Sequence, residues 1–127
     1  MEPEKLTELS KVVDELMGLA LQLGRRARLR GEKFQVKGTD VSFLLDRRSN
    51  GEDRWTVVLF EGDSPTWREV RDSRVALKKL FLEHAEDFFT AYLEHVSRFE
   101  STFDRDLKRG RETVAWLKDV AKERLDA

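Results

Sequence analysis

The apolar residues of this chain change their spacing twice, and the change decides which layers it can form. Between Leu6 and Ala27 they return every three or four residues, as on one face of a helix. Between Lys33 and Phe60 they alternate one by one, as on one face of a strand. Beyond Ser64 the longer step comes back and runs almost to the end. Helices placed before and after a block of strands predict an α+β fold. A parallel α/β sheet would need strand and helix in alternation.

Each segment carries its own start and stop signals. In the first, Leu6, Leu9, Val13, Leu16, Ala20, Leu23 and Ala27 form the stripe. Pro3 stands where its missing N–H costs nothing, and Gly31 is expected to end the helix, with unravelling of its last turn from Gly24 as the alternative. In the middle, Phe34 and Val36, then Val41, Phe43 and Leu45, then Trp55, Val57 and Leu59 mark three strands. Gly38-Thr39 and Ser49-Asn50-Gly51 join them tightly, which predicts a three-stranded antiparallel meander. Ser64-Pro65 resembles an N-cap followed by Pro at the first helical position, so a helix is expected from there to about Phe99. Its stripe is Leu82, Ala85, Phe89, Tyr92, Val96 and Phe99, with Leu77, Phe81 and Phe88 beside it. Ser101 with Asp104 resembles a capping box. A last helix should then turn Val114, Leu117, Ala121 and Leu125 inward, and one bent helix across Glu100–Ser101 is the alternative. The expected order is α-β-β-β-α-α in a single domain, residues 1–127.

Several function classes fall away. The chain has no cysteine, hence no disulfide, thiolate nucleophile or Cys-ligated metal. Its start is acidic and no stretch approaches the roughly 20 apolar residues of a membrane span. No membrane is expected, and the expected compartment is the cytoplasm. Lys+Arg number 24 against 25 Asp+Glu, a net charge of −1 that argues against a uniformly basic nucleic-acid binder. A single Asn, Asn50, and an excess of Arg over Lys suit a thermophilic source, although a GC-rich genome leaves a similar mark.

Catalytic chemistry finds no foothold. His84 and His95 would lie about 16 Å apart along one helix, too far to share a metal, and only Asp87 stands at helical spacing from His84. No HExxH, GxSxG, GxGxxG or Walker spacing occurs. Glu83, Glu86, Asp87, Asp104 and Asp106 stand beside Lys79, Arg105 and Lys108, as on solvated faces laced with ion pairs. The chain is expected to be no enzyme, with no catalytic residue, metal or cofactor.

Charge is segregated nonetheless. Arg25, Arg26, Arg28 and Arg30 crowd the end of the first helix, where cations suit the dipole. Arg68, Arg71, Arg74 and Lys78 crowd the start of the second, where they oppose it, and Arg74 and Lys78 repel at i,i+4. Two explanations compete: repair by acidic neighbours within the fold, or recognition of an acidic partner. A meander of about thirty residues separates the clusters, so that both are expected at one end of the sheet. On the strand face turned away from the main core, Leu44, Val58 and Phe60 form a small apolar patch among polar residues. That is the look of an interaction surface, unless a helix covers it.

Helix, three-stranded meander, helix is an order that resembles the double-stranded RNA-binding domain over residues 3 to about 90. Lys78-Lys79 fall loosely where that family begins a basic helix, but its Lys-Lys-x-Ala-Lys run is replaced by Asp72-Ser73-Arg74-Val75-Ala76-Leu77-Lys78-Lys79. The resemblance implies a nucleic-acid-binding alternative. The leading expectation is a small cytoplasmic protein-binding module: an adaptor, chaperone, or inhibitor and regulator of a larger assembly. It would meet an acidic protein surface through its charged helix ends, and a homodimer is allowed, because the helices carry more apolar surface than one copy can bury.

Overall fold

A computed structural model describes residues 2–48, 54–64 and 66–125. Helix α1 (Pro3–Ala27) leads into strands β1 (Phe34–Gln35), β2 (Val41–Arg48), β3 (Arg54–Glu61) and β4 (Trp67–Glu69). A 3₁₀ turn (Val70–Asp72) and helix α2 (Val75–Leu125) complete the chain. The fold is α+β with an antiparallel sheet in the order β1-β2-β3-β4. Packing divides the chain into two units, Met1–Val96 and Ser97–Ala127.

In the first unit the strand alternation does what its pattern dictates. Phe43 pairs with Leu59 and Leu45 with Val57, and all four are buried on one face. Phe43 meets Phe81 of α2 edge to face at 5.1 Å, and Phe88 stands 5.9 Å from Phe34 in the same way. Leu77, Phe81, Ala85, Phe88 and Tyr92 are the buried line of α2, while Val13, Met17 and Ala20 bring α1 into the same core.

Three features depart from the sequence reading. The meander has a fourth strand, because Trp67 and Glu69 pair with Phe60 and Val58. Ser64 does not cap a helix. Its hydroxyl receives the Thr66 N–H at 3.2 Å and lies 2.6 Å from the Thr66 hydroxyl, the geometry of a serine turn. Pro65 itself, like the Ser49-Asn50-Gly51 loop, lies outside the described residues. Helix α2 therefore starts at Val75, ten residues later than Pro65.

The second departure is that the two expected C-terminal helices are one. Ser101 donates to the Arg98 carbonyl at 2.8 Å and Thr102 to that of Phe99 at 3.1 Å, so the hydroxyls are satisfied inside the helix instead of capping a new one. The third is the end of α1, which stops before Gly31. Arg28 adopts left-handed backbone angles (φ 49°) and its N–H closes on the Gly24 carbonyl at 2.8 Å.

Candidate functional site

The histidines come first among catalytic candidates, and His95 has structural work. One ring nitrogen lies 3.1 Å from the Arg30 carbonyl and the other 3.2 Å from the Glu32 carboxylate. One turn earlier, the Tyr92 hydroxyl donates to the Leu29 carbonyl at 2.8 Å, and burial raises its pKa above the ordinary value. Tyr92 and His95 thus fasten the segment that joins α1 to the sheet. His84 is half-buried, and among the described residues no three His, Asp or Glu side chains gather as a metal site. Among those residues, no helix is long and apolar enough to cross a membrane.

The cationic clusters split apart. Arg30 pairs with Asp46 at 3.4 Å and Arg74 with Glu61 at 3.3 Å. Glu61 faces Val41, whereas Asp46 stands five residues further along β2, so these anchors are about 17 Å apart at opposite ends of the hairpin. Arg71 reaches Asp14 of α1 at 3.6 Å, roughly 16 Å along that helix from Arg25. The two clusters do not share one end of the sheet. Acidic neighbours engage Arg30, Arg71 and Arg74, Arg25 and Arg28 are engaged as well, and Arg26, Arg68 and Lys78 make no ion pair among the described residues.

The expected patch on the second strand face is closed. Leu44 is 2% exposed and Val58 1%, with Phe60 half-buried. The long rim residues of that face reach over it, and at its edge the Thr56 hydroxyl meets the Met17 sulfur of α1 at 3.9 Å. Arg48 stacks on the Trp67 ring 3.1 Å from its centroid, Lys33 sits 4.2 Å over Phe60, and one guanidinium nitrogen of Arg54 donates to both Glu69 carboxylate oxygens at 2.8 and 3.1 Å. Leu44, Val58 and Phe60 do not form an open docking surface.

Apolar surface is exposed elsewhere. Between α1 and α2 of the first unit, a cleft of about 310 Å³ is lined by Leu16, Leu19, Leu23 and Phe89, with Gln22 and Arg26 at its polar side. More extensive is the second unit, where the expected inward face of the last helix looks outward: Val114 is 53% exposed and Leu117 56%. Phe99, expected to belong to the buried stripe, is 47% exposed and stands 5.9 Å from the equally exposed Phe103. Phe103, Leu107, Gly110, Val114, Leu117 and Ala121 follow steps of four, three, four, three and four residues, one continuous seam. Gly110 leaves a notch in it. A Cβ there would meet nothing, and a shallow hollow of about 500 Å³ opens between Phe103, Asp106, Leu107, Arg111 and Val114.

The seam's spacing was legible in the sequence, but its exposure was not, because a stripe facing a core and one facing a partner have the same period. Set against known proteins, the chain matches no family model, no curated protein and no solved structure, so its own geometry carries the functional argument.

Proposed function

We propose that this chain is a non-enzymatic protein-binding module, an adaptor, chaperone or inhibitor acting in the cytoplasm, whose interaction surface is the seam of the second unit. The observation that supports this reading is the exposed line Phe99, Phe103, Leu107, Val114 and Leu117. A helix gains most of its stability in water by burying an apolar face, and patches of this extent mark surfaces that meet other proteins. Within the first unit, Arg26, Arg68 and Lys78 are the cations of the two clusters that make no ion pair among the described residues, and they give that unit its own preference for an acidic protein surface.

Binding should depend on the seam. A partner captured from the native extract and purified is titrated calorimetrically with the wild-type chain and with Val114→Lys. The substitution is expected to weaken binding by about tenfold or more, since it places a charge in a desolvated contact. Equal affinity of the two proteins would remove the seam from recognition. Duplex RNA serves as the control ligand: tight binding that falls steeply with salt would replace this reading with a nucleic-acid one.

A further inference from the structure

We infer that the seam pairs with the same seam of a second copy, the two helices running antiparallel about a point between Lys108 and Arg109. This rests on the protein-binding reading and names its partner. The surface is complementary to itself. In this register Leu107 enters the notch at Gly110 of the second copy, and Phe103 faces Val114, so a large side chain meets a small one in each central layer. The same register brings Asp104 beside Arg111 of the second copy, and two-fold symmetry makes that ion pair twice.

The competing arrangement is poorer. A parallel pair in register would set Gly110 against Gly110 and leave both hollows unfilled, at the cost that any void in a packed interface carries. Within one helix Asp104 and Arg111 are two turns apart, so this particular pair forms only across a second chain.

The full chain is tested by sedimentation equilibrium over a range of concentrations, with a dimer expected. Because it contains no cysteine, single substitutions read the register directly. An equimolar mixture of Phe103→Cys and Val114→Cys should oxidise to the mixed disulfide. Phe103→Cys alone should not, because its two copies would stand about 16 Å apart, beyond disulfide reach. Arg111→Asp should weaken the dimer by about tenfold, and adding Asp104→Arg should bring it back to within about threefold of wild type. Near-ultraviolet circular dichroism of the aromatic core shows that the first unit stays folded in each variant.

A disulfide formed by Phe103→Cys alone, or a dimer that yields no mixed disulfide, overturns the antiparallel register. A chain that stays monomeric at every concentration overturns self-pairing. In that case the calorimetric titration with a captured partner still decides the protein-binding reading on its own.

Discussion

The indole of Trp55 occupies the space where a side chain at Gly24 would begin, so α1 approaches β3 at that point as closely as its backbone permits. Gly24 is buried in the last turns of α1, and its carbonyl also closes the helix onto Arg28. Gly24→Ala should therefore destabilise the protein by about 1–3 kcal/mol, even though alanine favours helix. Gly18→Ala is the matched control. Its Cβ would meet nothing, and it should stabilise by about 0.5–1 kcal/mol. Urea denaturation of the two variants checks both signs.

Tyr92 makes stability depend on alkaline pH. Burial raises its pKa above the ordinary value of 10.0, so the folded state holds the phenolic proton more tightly than the unfolded chain does. Its contribution is complete below the unfolded value and is lost as pH rises from there through the folded value. Tyr92→Phe should flatten this loss and cost about 1 kcal/mol at neutral pH, where the bond to the Leu29 carbonyl disappears. Melting curves at neutral pH and above pH 10 measure both effects.

The closed strand face should open when its cover is removed. Trp67→Ala takes the stacking partner from Arg48 and uncovers the neighbourhood of Leu44 and Val58. The expected loss is about 0.5–1 kcal/mol from the cation–π contact, together with increased binding of a hydrophobic dye. An unchanged dye signal would mean that other residues close this face.

Among the cations, position separates stability from recognition. Arg71→Glu with Arg74→Glu sets like charges against Asp14 and Glu61, and should lower stability by about 1 kcal/mol, as exposed pairs of this kind do. Arg26→Glu with Arg68→Glu breaks no ion pair with a described residue and should leave the melting temperature in place while weakening an acidic partner. A large drop in melting temperature for this second pair would make these residues structural.

How much of this was legible in the sequence depends on what each signal measures. Strands β2 and β3 follow from the alternation of Phe43, Leu45, Trp55, Val57 and Leu59, which marks the face turned to the main core, although both strands are buried on their other face as well. Strand β4 has only Trp67, Arg68 and Glu69, too few residues for a period, and Ser64-Pro65 imitates a helix start. Ser101 with Asp104 suggested a break that α2 does not make, because the Ser101 hydroxyl bonds within the helix. In α1 the buried line Val13, Met17, Ala20 and Gly24 shares Val13 and Ala20 with the expected stripe and takes Met17 and Gly24 in place of Leu16 and Leu23, which lie half-buried at its edge. Periodicity finds a face, but only tertiary contact decides where its centre falls. The cations show the same limit, since Asp14 and Glu61 are remote in sequence from the Arg71 and Arg74 they neutralise.

Hydrogen exchange along residues 97–125 tests the central claim, that this seam is an interface, most directly. In dilute protein these amides should exchange quickly beside the protected core of Phe43, Phe81 and Phe88, because an unpaired helix with its apolar line in water opens readily. Raising the protein concentration, or adding a captured partner, should slow their exchange strongly, and Val114→Lys should abolish that slowing. Exchange that stays the same in dilute, concentrated and partner-bound samples would contradict the account.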